Sequence, residues 1–325
     1  MSELHRFLFQ GMPVRGLLVR LTDDWTEMLA RRASNTDTGA YPQPVRALLG
    51  EMAAAATLMQ ANIAFDGALV LQLHGDGPVR LAVAEVESDL RLRATATLAA
   101  PVPDGASLAA MANAAGRGRC AITLDPKRRS PGRQPYQGIV PLHGDHGEPL
   151  QRLSEVLEHY MLQSEQLDTK LVLAADDRIA AGLLIQRMPA QGERNLARGG
   201  DEDGIGLSED FGRIALLAGS LRADELLTLD ADTILRRLFW EEPLSRLAPA
   251  PGASAPRFAC SCSREKVAAM LTSLGREEAD SIVAEQGSIQ VGCEFCGLQY
   301  RFDAVDAAGL FQSVADRPPG STRAQ

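Results

Sequence analysis

Four of the chain's five cysteines fall in one stretch near its C-terminus, as Cys260-Ser-Cys262 and Cys293-Glu-Phe-Cys296. A thiolate is a nucleophile, a redox centre and a soft metal ligand. Two close pairs, held apart by residues 263 to 292, suit a tetrahedral all-cysteine zinc site, because each pair brings two sulfurs within reach of one ion. Gly297 after the second pair gives it the form of a zinc knuckle, in which glycine lets backbone N–H groups turn toward the sulfurs. The Cys-x-Cys half is tighter than the roughly two-to-four-residue spacer usual in such sites. One zinc ion is therefore expected at Cys260, Cys262, Cys293 and Cys296. The fifth cysteine, Cys120, lies in strand-like sequence with no partner nearby and reads as a buried, inert thiol.

Other residues with chemical potential carry less. His143 and His146 flank Gly144-Asp145 and read as a solvated turn. Gly75-Asp-Gly-Pro78 has no following Gly-Lys-Ser/Thr and no helix start, so it is a turn and not a phosphate loop. Ser164-Glu165-Gln166 has no nucleophile motif around it. Gly-x-Ser-x-Gly, a dinucleotide fingerprint and His-Glu-x-x-His are all missing. No ordinary active site is visible, and the chain is expected not to be an enzyme.

The elements that must position the cysteines follow from length and pattern. With 325 residues, 45% of them hydrophobic and 23% charged, the chain reads as a globular protein of about two domains or a little more. The first helical signal runs from Thr22 or Asp23 to Arg31, and Pro44 suits the first turn of a long helix to about Asn62. Strand patterns follow at 68–74, 79–86 and 90–97, the first two joined by the Gly75–Pro78 turn. Further strands are expected at 119–124, 136–142, 171–174 and 183–187, with a helix over 150–165. Helices mixed with hairpin-linked strands predict an α+β domain with a largely antiparallel sheet over residues 1–190.

A glycine-rich charged run at 192–206 reads as a flexible insertion, and short amphipathic helices follow at 208–221, 223–229 and 232–242. Ala248 to Pro256 is a Pro/Ala hinge. Residues 191–256 are thus a flexible and helical linker, residues 257–315 a small four-cysteine zinc module, and 316–325 a disordered tail. Inside the module, helices are expected at 263–274 and 277–285, with a strand at 288–292.

Net charge is −9, so nothing favours a nucleic-acid backbone as the partner. The N-terminus lacks a signal peptide's basic start and long apolar core, and the most apolar run, 45–63, carries Arg46, Glu51, Gln60 and Asn62, which argues against a membrane span. Few, clustered cysteines without an export signal point to a reducing cytoplasm.

The residues resemble the redox-regulated heat-shock chaperones of the 33 kDa chaperonin family. The resemblance rests on Arg257-Phe-Ala-Cys-Ser-Cys-Ser-Arg-Glu-Lys-Val-Ala, on Cys293-Glu-Phe-Cys-Gly and on Tyr300-Arg-Phe-Asp-Ala-Val-Asp. Upstream, Val14-Arg-Gly16, Gly75-Asp-Gly-Pro78, Tyr136-Gln-Gly138, Ser164-Glu-Gln166, Gly182-Leu-Leu-Ile-Gln and Arg236-Arg-Leu-Phe-Trp-Glu-Glu242 add to it, so it spans nearly the whole chain. The likeness implies an ATP-independent holdase that binds unfolded or oxidatively damaged client proteins. It implies zinc on Cys260, Cys262, Cys293 and Cys296 in the inactive reduced form. Oxidants would then give Cys260–Cys262 and Cys293–Cys296 disulfides, zinc release, linker unfolding and an active homodimer.

The chemistry is consistent with that implication. Zinc keeps the sulfurs as thiolates, the form oxidants attack, and ties the two halves of the module together. Local bridges would leave the halves unlinked, and the helices over 208–242 would lose a packing partner. A thiol–disulfide oxidoreductase is a competing reading, but no thioredoxin-like context surrounds the Cys-x-x-C pair. A zinc-ribbon nucleic-acid binder is another, opposed by the acidic balance.

Overall fold

The computed structural model describes residues 1–35, 39–128, 134–188, 201–248 and 254–311, with backbone alone for 201–208. Strands β1 (Glu3–Phe9) and β2 (Val14–Leu21) come first, then helices α1 (Asp23–Ala33) and α2 (Gln43–Asn62). The meander β3 (Gly67–His74), β4 (Val79–Glu87) and β5 (Arg91–Leu98) precedes α3 (Leu108–Ala112), β6 (Arg119–Pro126) and β7 (Tyr136–Pro141). Helix α4 (Leu153–Glu165) leads to the hairpin β8 (Thr169–Ala175) and β9 (Ala180–Arg187). Three helices follow, α5 (Asp201–Gly219), α6 (Ala223–Thr228) and α7 (Ala231–Phe239), and then the short strands β10 (Leu244–Leu247) and β11 (Arg257–Phe258). The C-terminal part holds α8 (Arg264–Leu274), α9 (Arg276–Gln286), β12 (Ile289–Gly292), β13 (Gln299–Phe302) and α10 (Ala304–Leu310).

Two mostly antiparallel sheets enclose α2. One has the order β10-β1-β2-β9-β8, the other β11-β5-β4-β3-β6-β7, in which β11 alone runs parallel to its neighbour. Helix α2 opens with Pro44 in its first turn, where a missing N–H costs nothing. It is buried nearly all round, from Val45 and Leu48 through the run Ala53–Ala56 to Leu58 and Met59. The alanines let both sheets close on the helix, so Leu17, Val19 and Leu21 of β2 share one core with Leu69, Leu71 and Leu73 of β3.

The opposite face of the five-stranded sheet carries Phe7, Phe9, Leu18, Leu183 and Ile185, and α5–α7 cover it with Ile214, Leu226, Ile234, Leu238 and Phe239. Phe239 meets Phe9 edge-on at 5.0 Å between ring centroids and lies 6.3 Å from Phe7. Gly16 is a glycine of necessity, since a Cβ there would stand 2.2 Å from the Phe7 ring. Asp230 caps α7 by accepting from the Thr233 amide.

The α+β class and the largely antiparallel sheets are as expected, but the structure corrects several details. Strands β1 and β2 had no counterpart in the pattern reading, because β2 is buried on both faces and shows no alternation. The helices expected over 208–242 pack on the sheet, not on the cysteine module. The reason is that this sheet has a second apolar face that no other element among the described residues covers. The glycine-rich insertion is described only from Asp201, and 201–206 belong to α5. Extending a helix already nucleated downstream is cheap, which outweighs the glycines there. Residues 189–200, most of the hinge and the C-terminal tail lie outside the described residues.

Glu51 sits on α2, where burial raises its carboxyl to about 7, with Arg152 opposing the shift. A carboxyl with a raised folded pKa favours the folded state most below its unfolded value, and that contribution is lost as pH rises through about 7. Glu51→Gln is therefore expected to raise stability at pH 8 by roughly 1–3 kcal/mol and to change it little at pH 4. Thermal melts of the two proteins across that range check this.

Candidate metal centre

The four C-terminal cysteines converge. Their sulfurs all lie within 4.8 Å of one another, and no other such group of potential metal ligands occurs among the described residues. Cys260 Sγ is 3.6 Å from Cys293 Sγ, and Cys262 Sγ is 3.4 Å from Cys296 Sγ. Sulfurs bound tetrahedrally to zinc at about 2.3 Å stand about 3.8 Å apart, a separation close to the two measured ones, so this donor set suits such an ion.

Local structure explains the convergence. Strands β12 and β13 form a hairpin whose loop is the Cys-x-x-C turn. Gly297, at φ +71°, donates its N–H to the Cys293 carbonyl at 2.8 Å, and Cys293 N donates to the Leu298 carbonyl at 2.9 Å. The amides of Phe295 and Cys296 turn toward the Cys293 sulfur, and that of Leu298 toward the Cys296 sulfur. The other half arrives on the segment before α8, whose N-cap Ser263 accepts from the Lys266 amide. The Tyr300 hydroxyl donates to Cys262 Sγ at 3.1 Å.

Electrostatics favour at least one thiolate. Cys260 is held below the usual thiol range, chiefly because the Cys293 thiol donates to it, and Cys293 is pushed up by the same bond and by burial. Burial likewise pushes Cys296 up, to about 11.

The module rests on the six-stranded sheet. Arg257 N donates to Leu90 O at 3.0 Å and Ala259 N to Leu92 O at 3.1 Å, which lays β11 along β5. Arg93 donates to Ser261 Oγ at 2.9 Å and lies over the Phe295 ring, 4.2 Å from its centroid. Thr95 Oγ1 donates to Glu294 O at 2.8 Å. A Cβ at Gly297 would come 2.8 Å from Arg31 O, so the knuckle and α1 approach as only glycine permits. No sequence pattern marked Arg31, Arg93 or Thr95, because each acts on a partner far along the chain.

The remaining candidates are structural. Cys120 is fully buried in β6 and its thiol is pushed up to about 12 by that burial. His143 Nδ1 meets Gly144 O at 3.1 Å in a turn that Glu148 closes by accepting from His146 N. Gly75 N donates to Arg80 O across the β3–β4 turn. Glu165 accepts from the Tyr160 hydroxyl at 2.8 Å, and Gln166 ends α4 in the left-handed conformation.

The architecture is a two-sheet body that carries a small four-cysteine module on one sheet edge. The sequence profile of the Hsp33 protein family matches residues 2–303. The "33 kDa chaperonin" of Chromobacterium violaceum is 45% identical over 310 residues, covering 95% of this chain and 94% of that protein. That of Methylobacillus flagellatus is 41% identical over 323 residues, covering 99% and 98%. The crystal structure of the 33 kDa chaperonin from Thermotoga maritima superposes with a TM-score of 0.69 at 21% identity, covering 94% of this chain and 97% of that one. The chain belongs to the Hsp33 family of heat-shock chaperones. No helix among its described residues is long and apolar enough to cross a membrane.

Proposed function

We propose that this chain is a redox-switched holdase of the cytoplasm, working by binding and not by catalysis. Cys260, Cys262, Cys293 and Cys296 hold one zinc ion in the reduced, inactive form. Two equivalents of an oxidant such as peroxide would take two electrons and two protons from each pair, giving Cys260–Cys262 and Cys293–Cys296 bridges whose sulfurs could no longer hold an ion, whereupon the linker over 191–256 unfolds and a homodimer binds unfolding client proteins without ATP. The convergence of four sulfurs from two remote segments within 4.8 Å is the observation that carries the reading.

Zinc supplies a tie between the halves of the module and keeps its sulfurs deprotonated. The chain's own residues do the rest. The Phe295, Cys296 and Leu298 amides stabilise sulfur charge, and Tyr300 orients Cys262. Arg93, Thr95 and β11 hold the module on the body. With α5–α7 seated on the sheet, release has to spread to the linker along the chain. It would pass first through β10, a four-residue edge strand left half-exposed to exposed.

The experiment is zinc release followed alongside suppression of aggregation of a thermally unfolding client, before and after peroxide. Stoichiometric suppression that appears only with zinc release is expected. Equal suppression by the reduced, zinc-loaded chain would rule the switch out.

A further inference from the structure

Strand β11 occupies a slot and does little to define it. It has two residues, while β5 behind it has eight. On one side, Leu90 O and Leu92 O accept from Arg257 N and Ala259 N. On the other, Asp24 Oδ1 of α1 accepts from Phe258 N at 2.9 Å, so the segment's N–H groups are satisfied on both of its edges. The side chains are matched as well. Arg257 donates to Asp89 Oδ2 at 2.9 Å and to Asp89 O at 3.1 Å. Phe258 packs against the main core with the Arg31 guanidinium 5.1 Å from its ring centroid. Further along β5, Thr95 is engaged by Glu294 O, and Ala96 N donates to the Tyr41 hydroxyl at 2.8 Å.

We infer that this slot between β5 and α1 is a client-binding site, plugged by the chain's own residues 257–259 in the closed form and open to extended segments of unfolded protein when the module leaves. The inference rests on the redox-switched reading above and names the surface that reading leaves unassigned. An uncovered strand edge presents a row of unpaired backbone groups to any extended chain, which is the chemistry of strand addition. Backbone pairing is indifferent to sequence and suits a binder of many clients. The two side-chain subsites add a preference for a basic residue followed by an aromatic one, entering parallel to β5. The ladder open to a client stops short of Ala96, whose backbone N–H and carbonyl are both held by the buried Tyr41 hydroxyl of the body.

The test uses a fluorescent peptide of residues 254–261 carrying C260S, with the full-length chain, reduced and zinc-loaded or peroxide-oxidised. Binding by anisotropy is expected to be at least tenfold tighter to the oxidised chain. Methylation of the peptide nitrogens at Arg257 and Ala259, which removes both ladder donors, should weaken it at least tenfold, and Asp89→Asn in the protein several-fold. Phe258→Asp, which expels the plug without oxidation, should let the reduced chain bind as the oxidised one does. Equal binding of the methylated peptide, or no binding to either open form, overturns the inference. Client suppression measured on the same samples separates the two readings. Suppression by the oxidised chain without peptide binding sinks the slot alone. Peptide binding to the Phe258→Asp chain, with no suppression after oxidation, sinks the switch and leaves the slot.

Discussion

Stripping the metal from the reduced chain with a strong chelator is expected to unfold residues 257–311 while the two-sheet body stays folded. The module's own core consists of six buried side chains, Leu271, Ala279, Ile289, Tyr300, Phe302 and Ala307, two of them alanines. Chains this small seldom fold on apolar burial alone. A structural zinc ion contributes roughly 10–16 kcal/mol of apparent folding free energy, more than such a core supplies. The body has no such dependence, since α2 and both sheets share a continuous core. Hydrogen exchange read by mass spectrometry checks the result. Protection in β12, β13, α8 and α9 should collapse to that of an open chain, and protection in α2 and β2–β9 should persist. Cys296→Ser should have the same outcome without chelator. A metal-free module that kept its protection would remove the basis for a metal-held switch.

Peroxide treatment should yield Cys260–Cys262 and Cys293–Cys296 bridges, and the module should open as they form. In the closed structure sulfurs already meet across the two motifs, Cys260 with Cys293 at 3.6 Å and Cys262 with Cys296 at 3.4 Å. A bridge between those pairs would close a loop of more than thirty residues and contribute about 4 kcal/mol by chain entropy, so it would preserve the tie that the ion makes. A bridge within either motif closes a tiny ring worth about 2 kcal/mol at most and holds nothing remote together. Within-motif bridges are therefore expected to leave the two halves of the module untied and so to keep it open. Non-reducing peptide mapping with proteolysis on the same sample decides the point. Cross-motif links in a chain still resistant to protease would contradict the mechanism.

The cysteine set was legible in the sequence because metal ligation is a matter of residue type and short spacing, and the knuckle adds a glycine, which the structure holds at positive φ. Helix α2 and the β3–β4 hairpin were legible for a similar reason, since Pro44 and Gly75–Pro78 act on their immediate neighbours. Long-range partners were not. Strand β2 is apolar toward α2 and apolar toward α5–α7, so no period marks it. Strand β11 reads in the sequence as the opening of the cysteine module until β5 is seen beside it. The packing partner of α5–α7 was misjudged because an amphipathic helix announces that it has an apolar face without saying what that face meets.

The ring cluster of Phe7, Phe9 and Phe239 has a consequence for how far the molecule comes apart. A chain that frays backward from its freed C-terminal part loses the four residues of β10 easily, then reaches Phe239 wedged edge-on against the first strand. Fraying should pause there, with Trp240 already facing solvent just beyond the clasp. Damage would then be met in graded stages, mild stress loosening only the tether and harsher stress prising the aromatic wedge loose as well.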